Sequence, residues 1–543
     1  MQHSTSRIAR AVIAALILTV LQPVLAQGST AAQLQTARSS AVFAVARAKP
    51  AVKVQARASK GSVLVGQDVR VTGSAKPGRA RDVVKVQRYD RGVWRTVKFS
   101  KLTGKRSFSF TVRPKAGKNR YRVVRPETST GRRGTSKTVT VKAESCGAMP
   151  KPKRTMWALA NNPTIDRTAS MTYHLSRLFC AVAPKATVRI AMLFVAGDSE
   201  AKVILRSLEK MHRYRGVHVE VLAEAMPYKV NDTAKLRRTV GKFATVHTCS
   251  KGCRSDVRAE GNMHQKFVTV TDMTWSKGKD PVVWTSSANW DKKQLRRYWQ
   301  TGVLVYNDRT LAREFDARFE SMRTCSRAGG CGRWKPSVFG ARLSDAYKVV
   351  SRNGVWQDAG FDWRAGQAGS GTKIAFSPTR QGFDPVTTEL TRYTCTPKHR
   401  TIRIGVFRMS VYRGLKIAKA FGDLRRRGCD VKAVLSTSGK SSAAKHGVKD
   451  MRSQGIATTC VDLMHDKFAY LDVVDRTTKV PRKVLWTGSQ NFTGAGVNFN
   501  DDLMMVMDAT DARGQRASDI RALAGAYLGR WAALTRHRTG CPS

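Results

Sequence analysis

The run MHQKFVTVTD at 263–272, followed by WTSSAN at 284–289, has a near copy later in the chain, MHDKFAYLD at 464–472 followed by WTGSQN at 486–491. Each copy holds a His-x-Lys entering an apolar strand and a Ser-x-Asn after a second strand. The spacing is matched: Ser287 lies 23 residues beyond His264, and Ser489 lies 24 beyond His465. Side chains alternate along a strand, so His264 shares a face with Lys266, and His465 with Lys467. An imidazole and an ammonium group two residues apart can address one phosphate together.

The surroundings of the two kits repeat as well. Before the first come ATVRIAMLFV (186–195), a helical period over 200–216 and VHVEVLA (217–223). Before the second come TIRIGVFRM (401–409), KIAKAFGDLRRRG (416–428) and DVKAVLS (430–436). Helical periods between β-rich runs are β-α-β units, which join parallel strands by right-handed crossovers. The expected fold class is therefore α/β, with two pseudo-symmetric halves, 150–308 and 372–543, forming one unit. A linker at 309–371 begins as a helix and turns Gly-rich and irregular.

Upstream, Arg7 and Arg10 precede an apolar run over 11–21 and small residues before position 27, so 1–26 reads as a signal peptide and the protein as secreted and extracellular. The run is shorter than the roughly 20 residues a membrane span needs, and no later stretch is long and apolar enough for one. Residues 27–50 have no periodicity and read as a flexible leader. From 51 to 143, short alternating runs (VRVTG, VVKVQRY, SFSFTV, RYRVVR, TVTVK) between Gly- and Pro-containing turns predict an all-β sandwich. Gly66, Gly73, Trp94 and the strand at Tyr121-Arg122 resemble immunoglobulin-like accessory modules of bacterial extracellular proteins.

Lys and Arg number 97 against 38 acidic residues, a net charge of +59. Residues 51–143 alone carry 25 basic and 4 acidic residues. Such a field favours phosphate-bearing partners, whether nucleic acid, anionic lipid or wall polymer, and peripheral contact with anionic surfaces. The same charge also serves solubility. Ten cysteines in an exported chain favour disulfides, with Cys249–Cys253 and Cys325–Cys331 as local pairs and the other six left open. A zinc site from His247, Cys249, Cys253 and His264 is the rival reading of that cluster.

The paired kits resemble the phospholipase D superfamily, whose signature is His-x-Lys with a following Asp and Gly-Ser-x-Asn, over roughly 155–540. The resemblance implies a phosphodiesterase with neither metal nor other cofactor. It implies His264 as nucleophile forming a phosphohistidine and His465 as general acid and base, with Lys266, Lys467, Ser287, Asn289, Ser489 and Asn491 on the phosphate oxygens. It also implies an acidic residue behind each imidazole. In the second half Asp472 and Asp502 stand at the two expected places. In the first, Asp272 is one residue late and Gln300 stands where an acid is often found. Ser286 replaces the Gly that Gly488 keeps.

Three functions follow. The leading one is hydrolysis of a phospholipid headgroup, or its transfer to an alcohol. The others are an endonuclease of the same superfamily and a surface-binding protein with weak turnover. Fusion of two halves implies a monomer. Trp275, Trp284, Trp290, Trp299, Trp486 and Phe492 stand near the motifs, to line the mouth or, for Trp284 and Trp486, to fill the core.

Overall fold

A computed structural model describes residues 48–542 apart from 66, 164–170, 226–232, 251, 254–260, 277–279, 328–362, 380–383, 439–441 and 499. The signal peptide, nearly all of the leader, Gly66, Cys331 and most of the linker lie outside the described residues.

The alternating runs after residue 50 form two sheets around one core. The smaller sheet pairs Lys53–Ala58, Val69–Lys76 and Ser107–Val112. The larger runs in the order Ser62–Leu64, Val139–Glu144, Gly117–Arg125, Val83–Asp90, Val93–Lys101. Val54, Val71 and Phe110 of the first meet Val86, Val123 and Val141 of the second, the inward positions of a period-two pattern. A side chain at Gly73 would place Cβ 1.9 Å from the Gln55 carbonyl oxygen, so this position admits only glycine.

Beyond residue 155 the fold is mixed α/β with two large sheets. The first runs Met156–Asn161, Gln300–Tyr306, Val282–Ser286, Lys266–Val270, Thr187–Met192, His218–Glu224, Thr245–Cys249. The second runs Ser370–Phe376, Leu503–Ala512, Pro481–Gly488, Lys467–Asp475, Thr401–Val406, Asp430–Ser436, Ala457–Val461, with the short Arg364–Ala365 at its edge. The β-α-β units do pair parallel, Thr187–Met192 with His218–Glu224 and Thr401–Val406 with Asp430–Ser436. Each His-x-Lys strand, however, lies antiparallel to its neighbours. The helix Ser199–Arg215 is capped by Asp198, whose carboxylate accepts from the amides of Glu200 and Ala201, and it closes on Gly216 at φ 64°.

The two sheets share a core. Phe315, Phe319 and Met322 of the helix Arg309–Arg327 pack with Phe267 of the first sheet and Phe376 and Phe468 of the second. The first part of the expected linker is thus a core element. Its Arg318 is buried and donates to Asp501 at 2.8 Å, and Asp501 also accepts from the Cys253 amide at 2.6 Å.

Cys249–Cys253 is a disulfide with Cα atoms 4.9 Å apart, so its sulfurs supply no thiolates to a zinc ion. Cys146–Cys180, Cys395–Cys429 and Cys460–Cys541 resolve the pairings left open by sequence. Cys325 is also disulfide-bonded.

Removing one partner of a buried ion pair strands the other charge. Asp501→Ala is expected to lower the unfolding free energy by about 3–5 kcal/mol in a urea titration; an unchanged midpoint would mean that Arg318 does not tie the two sheets together.

Candidate active site

The two His-x-Lys strands begin at the seam between the sheets, where each is fastened to the opposite half. Met263 bridges Asp501, and Met464 bridges Trp299. The His264 amide donates to the Asp501 carbonyl at 2.8 Å, and the His465 amide to the Trp299 carbonyl at 2.9 Å. The next residue along each opposing strand then reaches the imidazole. Asp502 accepts from His264 Nδ1 at 2.9 and 3.1 Å. Gln300 Oε1 lies 3.2 Å from His465 Nδ1, beside the Ser287 carbonyl at 2.9 Å. With Nδ1–H committed to these acceptors, Nε2 of each ring carries the free lone pair.

The middle residue of each tripeptide turns to the other face and braces this arrangement. Gln265 Nε2 donates to the Asp502 carbonyl at 3.2 Å. Asp466 accepts from Arg530 at 2.9 Å, and Arg530 donates to the Gln300 carbonyl at 3.2 Å. Neither residue stands out in the sequence, because only the outer positions of the motif repeat.

Lys266 and Lys467 are 0% and 3% exposed, and each donates back to the carbonyl of its own histidine, at 2.6 and 2.7 Å. Burial lowers the Lys266 pKa to about 7, against the pull of Asp502. Burial and the neighbouring Lys266 hold Lys467 well below its ordinary value. Burial also lowers His264, opposed by the Asp502 carboxylate. His465 is pushed well below the usual range by burial and by Lys467 and Lys266. A carboxylate behind one ring and neutral acceptors behind the other make the two imidazoles chemically unlike.

Several expected contacts fall elsewhere. The hydroxyls expected on phosphate oxygens are committed to the supports: Ser287 Oγ donates to Gln300 Oε1 at 2.7 Å, and Ser489 Oγ donates to Asp502. Asn289 donates to Gln294 Oε1 at 3.2 Å, while the Asn491 side chain has no hydrogen bond among the described residues. Asp472 backs neither motif imidazole. It lies five residues beyond Lys467, roughly 16 Å along the strand, and pairs with His399 at 2.8 Å. Asp272 accepts from the Met273 amide at 2.9 Å and is likewise at the far end of its strand. Gly488 is required because a Cβ there would lie 2.4 Å from the Leu503 carbonyl oxygen; Ser286 instead takes the Ala288 amide on its hydroxyl at 3.0 Å.

Both imidazoles open into one cleft of about 950 Å³, together with Asn289 and Asn491. Its wall carries Lys235, Lys292, Lys293, Arg297 and Arg408, the acids Asp198 and Asp291, and the aromatic rings of Phe194, Tyr298 and Phe407. The Phe407 ring lies 4.3 Å from the His465 imidazole. Burial, with Asp198 nearby, raises the Asp291 carboxyl to about 6. Among the described residues no tryptophan lines the cleft. Trp284, Trp290, Trp299 and Trp486 are buried, Trp275 packs on the first core, and Phe492 lies in the core of the second half. The wall cations sit on loops and short helices without periodicity, so only the Asp-Lys-Lys run after Trp290 hinted at them.

Two imidazoles flanked by buried ammonium groups define a site for a phosphodiester. A family model described as "Cardiolipin synthase, PLD-like domain" matches residues 182–323 and 397–523, one segment around each His-x-Lys. The chain belongs to the phospholipase D superfamily, and that membership supports phosphodiesterase chemistry at this cleft.

Among solved structures, the phospholipase D family member Nuc from Salmonella typhimurium is 21% identical, matching 32% of this chain and 98% of its own at a TM-score of 0.24. A polyphosphate kinase from Porphyromonas gingivalis is 9% identical over 88% of this chain and 82% of its own, with a TM-score of 0.37. Comparison with curated proteins returns no match.

An ammonium group with a pKa of about 7 is charged below that pH and neutral above it. With Lys266 as a phosphate ligand, capture by the free protein is expected to weaken as pH rises through about 7. Initial rates should show kcat/KM for a small phosphodiester falling on that limb, and Lys266→Arg, whose guanidinium stays protonated, should move the limb to higher pH. A limb unmoved by the substitution would assign it to another group.

Proposed function

We propose that this protein is an exported phosphodiesterase that cleaves nucleic acid strands, with His264 as nucleophile and His465 as general acid and base. The observation that carries this reading is the excess of positive charge around the cleft. A phospholipid brings one phosphate to its scissile bond, and Lys266 and Lys467 lie beside the imidazoles to meet it. Lys235, Lys292, Lys293, Arg297 and Arg408 lie further out on the wall, where the neighbouring phosphates of a polymer would pass.

In this mechanism Nε2 of neutral His264 attacks phosphorus, and the P–O bond to the leaving oxygen breaks. The negative charge of the bound phosphodiester favours a proton on His465 Nε2, and His465 gives that proton to the leaving oxygen. The phosphoimidazole of His264 carries a positive charge, which the Asp502 carboxylate offsets. His465, held by neutral acceptors in a positive field, releases its proton readily. It then takes one from water, whose oxygen attacks phosphorus and frees His264. The unlike surroundings of the two rings support this division of roles.

The matched strand order of the two sheets supports a duplicated unit with one active site per chain, acting as a monomer. The apolar stretch at 11–21 and the disulfides support export. No helix among the described residues is long and apolar enough to cross a membrane. The two-sheet N-terminal domain fits an immunoglobulin-like accessory module.

A second reading, hydrolysis or transfer of a phospholipid headgroup, draws on the aromatic side of the cleft formed by Phe194, Tyr298 and Phe407.

The deciding assay offers an end-labelled single-stranded oligonucleotide, and separately phosphatidylcholine and phosphatidylglycerol vesicles, in excess EDTA. Oligonucleotide cleavage is expected, with His264→Ala inactive and His465→Ala slower by about 10²–10⁴. Release of choline or glycerol with the oligonucleotide intact would move the assignment to the lipid reading, and loss of all turnover in EDTA would sink the two-histidine mechanism. Gln300→Glu sets a carboxylate against His465 and should raise its pKa, carrying kcat to higher pH. Movement of the acid limb of kcat to higher pH, with the alkaline limb unmoved, would reverse the roles of the two histidines.

A further inference from the structure

The larger sheet of the N-terminal domain has an outer face that its own core does not use. Register sorts the side chains. Val86 pairs with Val123, and both point into the core, so Gln87 and its partner Arg122 point outward. By the same alternation Tyr89, its partner Trp94, and Arg120 lie on the outer face. Lys118 and Lys142, paired across two strands, continue it.

These residues are interleaved rather than scattered. The Arg120 guanidinium stands over the Tyr89 ring at 4.0 Å, and that of Arg122 over the Trp94 ring at 4.4 Å. The two rings meet edge to face at 5.2 Å. Arg122 Nε donates to Gln87 Oε1 at 2.8 Å, which fixes the plane of the guanidinium. Phe99, on the neighbouring edge strand, is 61% exposed. Glu144, the carboxylate ending the Lys142 strand, is drawn to Lys142 and Lys210.

We infer that this face binds single-stranded nucleic acid, holding the strand that the cleft is proposed to cut; the inference rests on that reading of the cleft and adds a second contact to it. Charge complementarity selects the occupant, since 25 basic residues stand against 4 acidic ones between 51 and 143. Alternation of planar guanidinium groups and rings matches the alternation of phosphates and unstacked bases along a single strand. An anionic lipid surface would offer phosphates to the cations but no bases to the rings set among the guanidinium groups.

The test uses the full chain with His264→Ala, so that the ligand survives, and follows anisotropy of a fluorescein-labelled oligothymidylate of about 20 nucleotides, longer than a single-module site. Trp94→Ala with Arg122→Ala is expected to weaken binding by about tenfold or more. Arg120→Ala with Arg122→Ala should reduce the slope of log affinity against log salt by about 1.4, the share of two phosphates on a single strand. Lys118→Glu with Lys142→Glu, fully surface changes, should weaken binding as well and guards against misfolding of the aromatic variants.

In chains that retain His264, all of these face variants should hydrolyse bis(p-nitrophenyl) phosphate at the wild-type rate. Unchanged affinity and salt slope in the lysine and arginine variants overturn the inference, even if the wild type cuts the oligonucleotide. Face variants that lose phosphatidylglycerol vesicle binding but keep the oligonucleotide overturn it in favour of a lipid surface. A wild type that binds through this face but does not cleave would defeat the reading of the cleft alone.

Discussion

The reciprocal fastening of the two His-x-Lys strands is the constraint on which the rest of the site depends. Each strand starts by giving a backbone hydrogen bond to the opposite half, His264 to Asp501 and His465 to Trp299. With the return bonds from the Asp501 amide to the Asn262 carbonyl and from the Trp299 amide to the Leu463 carbonyl, this bond sets register, and register brings the next side chain, Asp502 or Gln300, onto the imidazole. Neither half can orient its own histidine alone. The buried Arg318–Asp501 pair and the shared aromatic core around Phe315 and Phe468 are what keep the seam in place.

The same seam concentrates positive charge where the protein can least screen it. Lys266, Lys467 and His465 are buried, and His264 beside them is only 13% exposed, with Asp502 as the carboxylate in direct contact with its ring. Burial disfavours the charged forms and lowers all four pKa values. An arriving phosphodiester supplies the missing negative charge. The cost of gathering like charges in the apoprotein is recovered in part when substrate binds, so the site favours anionic ligands before any side chain on the wall is considered.

Charge continues outward from there. The cleft wall adds lysines and arginines on the loops around the imidazoles, and the N-terminal domain adds a basic, aromatic-bearing sheet face. In the proposed reading the pieces act at different ranges: buried lysines at one phosphorus, the wall at adjoining phosphates, and the accessory face at a distance along a polymer.

Much of this was legible in the order of residues. The duplicated His-x-Lys and Ser-x-Asn, their spacing and the β-α-β patterns around them pointed to the α/β class, to the two histidines that meet at the cleft and to Gln300 and Asp502, though not to the imidazole of the opposite half that each one backs, because motif spacing and strand periodicity are local properties that survive in one dimension. The failures were matters of direction and partnership. Asp472 stood at the right offset but at the wrong end of its strand, Ser287 and Ser489 turned their hydroxyls to the supporting side chains, and the tryptophans near the motifs went to the core. Gln265, Asp466 and the cations of the cleft wall carried no repeating signal. Which half's side chain meets which imidazole depends on how two sheets dock across a seam, and docking is set by contacts between residues more than 150 positions apart, which no local pattern records.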